Sequence, residues 1–330
     1  MQVFRTRLTA RFGIDHPVVL APMDLVADAR LASAVSAAGG LGLVGGGYGN
    51  REWLERQFAA IGSDGVGWGF ITWSLARKPE LLDLVLEHSP AAIFLSFGDP
   101  MPFAGRIHDA GVPLICQVST LDHARRAIDA GAAVLAAQGG EAGGHGTATR
   151  STFTFVPEVA DLVAATAPDT LVLASGGVAD GRGLAAALSL GADGVLVGTR
   201  FWASHEAVVS RDAQRRALAA SGDDTLRTSV YDIVRSADWP EQYDGRLLRN
   251  AFLDHWHGRE DELRARLDQA KQEFTAAVAA EDYGTANVIV GEAVGMIHEV
   301  LPAATILHRM IRDAVAALPP SPAQQPEHSS

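Results

Sequence analysis

A glycine-rich run, Gln138-Gly139-Gly140-Glu141-Ala142-Gly143-Gly144-His145-Gly146, sets one glutamine, one glutamate and one histidine on a backbone almost free of side chains. Such a backbone can lie flat against a planar ring. Gln138 offers a donor and acceptors to the edge of a heterocycle, and His145, with an ordinary pKa of about 6.5, suits proton removal near neutrality. A lone histidine is more often structural than reactive, but His145 sits in a loop-like segment and not on an apolar face. Two further runs point to an anion. In Ala174-Ser175-Gly176-Gly177-Val178-Ala179-Asp180-Gly181, Gly176 and Gly177 permit close backbone approach just before a helix whose first N–H groups can bind negative charge. In Gly198-Thr199-Arg200, a glycine amide and a threonine hydroxyl can complete the same cradle. Either run alone would be an ordinary tight turn; as a pair at the ends of successive apolar runs they describe a phosphate site.

The elements that must position these loops follow from the hydrophobic pattern. Short apolar and β-branched runs predict strands at 17–22, 41–46, 66–72, 91–96, 113–118, 133–138, 170–175 and 194–198. Segments with helical periodicity, at 28–40, 79–88, 120–132 and 181–192, lie between them and end near glycine. Several strands are continuously apolar, as parallel strands covered on both faces must be. Eight strand–helix units predict an α/β fold, a (β/α)8 TIM barrel over residues 1–220, with its chemistry at the C-terminal ends of the strands. From 221 the alternation stops in a segment rich in aromatics, arginines and turn formers, which predicts a smaller, mostly helical C-terminal lobe at 221–315 packing on the barrel. Residues 316–330 read as a disordered tail. The spelling Gly40-Leu41-Gly42-Leu43-Val44-Gly45 matches GxGxxG, but it follows a helix and enters a strand, the reverse of a dinucleotide-binding turn.

The totals restrict the partners. A formal charge of −12 without a compensating basic stripe opposes nucleic-acid binding. No apolar run reaches the roughly 18 residues that suggest a membrane span, and the start MQVFRTRLTARFG has no secretory h-region, so the expectation is a cytoplasmic protein. One cysteine, Cys116, allows no internal disulfide and no thiolate cluster; it reads as a buried, inert side chain. No metal is expected, since His255 and His257 beside Trp256 are too few ligands. Small-molecule partners are expected, and a homodimer is compatible with the chain.

The segments AQGGEAGGHG, ASGGVADGRGLAAALSLGADGVLVGTRF and HPVVLAPM resemble the nitronate monooxygenase family, formerly called 2-nitropropane dioxygenases. The resemblance runs from Ile14 to Phe201 and extends to the later DGR…RN and GEAVGMI segments. It implies FMN lying across the barrel mouth without a covalent bond, with Met23, Gln138 and Gly143 on the flavin and Gly176, Gly177, Gly198 and Thr199 on its phosphate. It makes His145 the catalytic base. The implied reaction oxidises alkyl nitronates with O2 to a carbonyl compound and nitrite, and some members also accept neutral nitroalkanes. FMN-dependent enoyl reductases share parts of these motifs, which leaves as the alternative an NAD(P)H-dependent reductase of a quinone or enoyl thioester. A flavin-binding regulatory protein and a sugar-phosphate barrel without flavin are further readings. One departure stands out: where many relatives place an asparagine after the third strand, this chain reads Gly69-Phe70-Ile71-Thr72-Trp73, so Ile71 cannot supply that hydrogen bond and Thr72 is the substitute to consider. Ser96 and Asp99, at the end of the fourth strand, are weaker site candidates. Trp53, Trp68 and Trp202 read as packing residues, and Arg246 and Arg249 as salt-bridge partners in the lobe.

Overall fold

A computed structural model describes residues 4–61, 65–147 and 150–318; of the tail expected at 316–330, residues 319–330 lie outside the described residues, while Ala316 and Ala317 still belong to the last described helix. Eight parallel strands form the expected (β/α)8 barrel: β1 (Val18–Leu20), β2 (Gly42–Gly45), β3 (Val66–Ile71), β4 (Ile93–Ser96), β5 (Leu114–Val118), β6 (Val134–Gln138), β8 (Leu171–Ser175) and β9 (Gly194–Val197). Each pairs with its neighbour around the ring in the order β1-β9-β8-β6-β5-β4-β3-β2. The two ends of that order meet through backbone hydrogen bonds, Leu20 N to Leu41 O at 2.9 Å and Leu41 N to Val18 O at 3.0 Å. The GxGxxG spelling is thereby accounted for, since Leu41 closes the barrel and Gly42 opens β2.

Alternation along the strands builds two apolar layers. Val19, Leu43, Phe94, Ile115, Ala136, Leu173 and Leu196 fill the barrel interior, and Leu8 of the helix Arg7–Phe12 plugs its N-terminal end. Leu20, Val44, Trp68, Phe70, Leu95, Cys116 and Val172 face outward against the helices. The last described helix, Ala303–Ala317, returns from the lobe and buries Ile306, Leu307, Met310 and Ile311 in this outer layer. With its N-terminal end plugged by Leu8 and its sides covered by helices, the barrel leaves the C-terminal rim of its strands as the place for chemistry.

The lobe combines short helices with a three-stranded antiparallel sheet ordered β10 (Thr225–Thr228), β11 (Asp244–Leu248), β7 (Gly144–Gly146). Here β7 comes from the barrel loop that carries His145, so the sheet stitches that loop to the lobe. Its helices close over a core of Val230, Tyr231, Leu247, Phe252, Leu253 and Trp256. No helix of the described residues is long and apolar enough to cross a membrane.

One exposed helical position lends itself to a direct stability test. Gly105 lies inside the helix Met101–Asp109, and a Cβ there would meet nothing within 4 Å. Gly105→Ala is expected to stabilise the protein by about 0.5–1 kcal/mol by restricting the unfolded chain, visible as a higher urea midpoint at unchanged slope.

Candidate active site

Two structural units hold His145. From the barrel, Gln138 at the buried end of β6 donates from Nε2 to the His145 carbonyl at 3.0 Å, while its Oε1 accepts from Gln117 Nε2 at 3.1 Å. From the lobe, β11 pairs with β7 so that Gly245 stands opposite His145. The imidazole Nε2 lies 3.0 Å from both carboxylate oxygens of Asp232, on the helix Val230–Val234, and both side chains are largely buried. Trp239 stacks on the ring, centroids 3.4 Å apart and planes 5° from parallel. Among the described residues Nδ1 makes no hydrogen bond.

An aromatic wall surrounds this ring. Trp239 donates from Nε1 to the Tyr48 hydroxyl at 2.8 Å, and its ring meets Trp73 edge-on at 5.4 Å and Phe97 at 5.0 Å. Phe97 follows β4 with φ +61°, a left-handed conformation costly for a residue with a side chain and one that clusters at functional sites. Phe97 also lines a cleft of about 320 Å³ with Gln117, Ser119, His123 and, from the lobe, Gln242 and Tyr243. Of the two aromatics at the end of β3, Phe70 packs into the outer core, whereas Trp73 joins the wall.

The glycine loops lie alongside, joined in a continuous path. Gly176 and Gly177 follow β8 with φ of +104° and +73°. A Cβ on Gly176 would come within 3.2 Å of Gly139 O and Ala142 N, so this turn abuts the His145 loop. Gly143 backs onto the lobe, where a Cβ would stand 2.5 Å from Gly291 N. Gly291 N in turn donates to Thr199 Oγ1 at 2.9 Å. Gly198 precedes Thr199, and a Cβ on it would lie 3.8 Å from Met23 Sδ. The eight residues singled out in the sequence therefore share one rim. Glu141, from the same glycine run, is turned away: its carboxylate accepts from Thr152 N and Oγ1 at 3.0 Å and pins the loop to the next helix.

The weaker candidates have structural partners. Ser96 Oγ donates to Phe70 O at 3.1 Å, and Asp99 pairs with Arg126 at 2.7 Å. Burial pushes the Cys116 thiol up to about 12, which keeps it protonated and unreactive. Arg246 bridges Glu292 at 2.9 Å and Arg249 bridges Asp254 at 2.8 Å, both within the lobe as read from the sequence. Asp232, Trp239 and Tyr48 were not anticipated, and neither was Asp24, which follows Met23. Burial raises the Asp24 carboxyl to about 6, a rise that Arg235 only partly opposes.

That shift has a sign for stability. The unfolded carboxyl ionises near its ordinary 3.8 while the folded one keeps its proton to about 6, so the folded state is disfavoured progressively as pH rises between these values. Above pH 6 the cost is on the order of 3 kcal/mol at 1.36 kcal/mol per unit. Asp24→Asn is expected to raise the urea midpoint at pH 8 and to leave it nearly unchanged at pH 4; an equal effect at both would remove the titration account.

Barrels do their chemistry at the carboxyl ends of the strands, and it is there that the imidazole and the glycine-built backbone surfaces lie together. The chain belongs to the nitronate monooxygenase family, whose sequence profile matches residues 5–63 and 73–313. The stretch between the two matches contains β3. It is 33% identical to a nitronate monooxygenase of Neurospora crassa, over 95% of this chain and 93% of that one. To the nitronate monooxygenase npaC of Metarhizium robertsii it is 34% identical over 91% of each. Among solved structures, FabK from Thermotoga maritima superposes with a TM-score of 0.82 at 28% identity, covering 95% of this chain and 97% of that one.

Proposed function

We propose that this protein oxidises alkyl nitronates with molecular oxygen to a carbonyl compound and nitrite, using noncovalently bound FMN. The observation that supports this most is the unbroken rim from Met23 through Gly198, Thr199, Gly143 and Gly176 to Gln138 and His145. The residues fit FMN. Gly176 and Gly177 hold turns without side chains where a phosphate would approach, and Gly198 leaves room beside Thr199. At the end of β3 the buried Thr72 hydroxyl has no hydrogen-bond partner among the described residues, which suits it to replace the family's asparagine on the flavin. Gln138 would fix the ring edge through its remaining donor capacity. Bound FMN supplies electron acceptance and reaction with oxygen.

The protein's own share is orientation and proton transfer. A nitronate arrives already deprotonated and needs only to be held against the ring, with the aromatic wall excluding water. A neutral nitroalkane needs one step more: the α C–H bond breaks, its proton passes to Nδ1 of His145, and the electron pair moves into the nitro group to give the nitronate.

An NAD(P)H-dependent reductase of a quinone or enoyl thioester is the second reading, favoured by the cleft of about 320 Å³, which is roomy for a small nitroalkane. One anaerobic experiment separates the two. Loss of the flavin absorbance on mixing with ethyl nitronate, with no response to NADPH or NADH, is the expected result; rapid loss with a nicotinamide alone would move the protein to the reductases.

A further inference from the structure

We propose that Asp232 is the positioning residue that makes Nδ1 the basic atom of His145, and that this dyad forms only when the lobe docks on the barrel. The inference rests on the reading of His145 as a proton acceptor. Both oxygens of Asp232 lie 3.0 Å from Nε2 and none from Nδ1, so an ionised carboxylate, an acceptor only, holds the proton on Nε2. The lone pair of the neutral ring then resides on Nδ1, and the imidazolium formed when Nδ1 takes a proton is stabilised by the adjacent negative charge. Asp232 is 7% exposed, and among the described residues its carboxylate has no other hydrogen-bond partner, so His145 is what keeps that buried charge paired. Trp239 covers one face of the ring, centroids 3.4 Å apart and planes 5° from parallel.

The two partners are 87 positions apart, His145 on a barrel loop and Asp232 on a lobe helix, with β7 and β11 as the seam. The other ionisable groups around the pair are Tyr48 after β2, Tyr243 before β11, and Arg227 of β10, which donates to Gly146 O at 3.4 Å and is itself neutralised by Asp244 at 2.7 Å. Arg235 lies over the Tyr48 ring at 5.8 Å. None of them supplies a second acceptor for Nε2.

The test is nitrogen NMR on the FMN-loaded protein made with isotope-labelled histidine, followed through a pH titration, beside kinetics of wild type, Asp232→Asn and Asp232→Glu. Wild type is expected to show His145 as the Nε2–H tautomer. Asp232→Asn, whose amide can donate as well as accept, is expected to lose that tautomer and to cut kcat/KM for a neutral nitroalkane by roughly 10²-fold or more while nitronate turnover changes little. Asp232→Glu should recover part of both. A wild-type Nδ1–H tautomer overturns the proposal whatever the variants do, as does an unchanged tautomer and unchanged nitroalkane-to-nitronate ratio in Asp232→Asn. If the tautomer shifts as expected but no nitroalkane is turned over by wild type, the positioning role stands and the base reading of His145 is the part that fails.

Discussion

His145→Asn is expected to reduce turnover of neutral nitroalkanes by about 10²- to 10⁴-fold, the usual contribution of a general base, while costing nitronate oxidation roughly tenfold or less. The asymmetry follows from where the proton is. A nitroalkane must lose its α-proton before it can be oxidised, and Nδ1 is the ring atom left without a hydrogen bond among the described residues to accept it; the nitronate has lost that proton in solution. Asparagine presents no group that can hold a proton near neutral pH, and its shorter amide stops at the position of Nδ1, so Asp232 loses its partner on Nε2 and contributes to a loss common to both substrates. It also gives up the stack on Trp239, and a modest common loss on both substrates is expected from the looser wall. Oxygen uptake with nitroethane and with ethyl nitronate, each measured for wild type and variant, checks the ratio. A deuterium isotope effect on the α-carbon should grow as proton removal becomes the slow step. Equal losses on the two substrates would mean that His145 serves binding and not base catalysis.

The barrel, and the residues that make up half of the candidate site, could be picked out of the sequence because their signals are local. Each strand is a short apolar run, and each of the loops at the rim is a cluster of glycines within a few residues of a strand end, so neither required knowledge of what the chain meets later. The partners of His145 carry no such signal. Asp232 sits in VYDIV, which reads as an ordinary short helix, and Trp239 lies in a turn-rich stretch; their relation to residue 145 exists only after β7 pairs with β11. β7 itself is Gly144-His145-Gly146, a sequence of low strand propensity that becomes a strand because the lobe offers it an edge. Asp24 was hidden for a different reason: its carboxyl is unusual only through burial, and burial beside Tyr48 and under Arg235 is a property of the assembled rim.

The second large effect is expected at Gly176, where the glycine requirement is both conformational and steric. At φ +104° a side chain is strained before any contact is considered, at a cost of roughly 1–3 kcal/mol. A Cβ there would also stand 3.0 Å from Thr152 Oγ1, the group that ties the rim together by donating to Glu141 at 3.0 Å and lying within 3.2 Å of Ser175 O and Gly176 O. Gly176→Val should therefore pry the turn after β8 from the His145 loop without touching the strands of the barrel, whose cores are elsewhere. The expected product is a folded, helical protein that purifies with little or no yellow colour and rebinds FMN at least about 10²-fold more weakly, a loss of some 2.7 kcal/mol by the affinity relation. Gly177→Ala supplies the contrast. Its φ of +73° is equally unfavourable for a side chain, but a Cβ would meet only Glu141 Cβ, at 3.9 Å, so the turn is strained and not displaced. It should keep most of its flavin at a small cost in stability. Titrating each apoprotein with FMN and following flavin fluorescence decides the matter: a Gly176→Val protein that holds a full complement of FMN would remove this turn from the phosphate cradle and leave Gly198 and Thr199 to carry it.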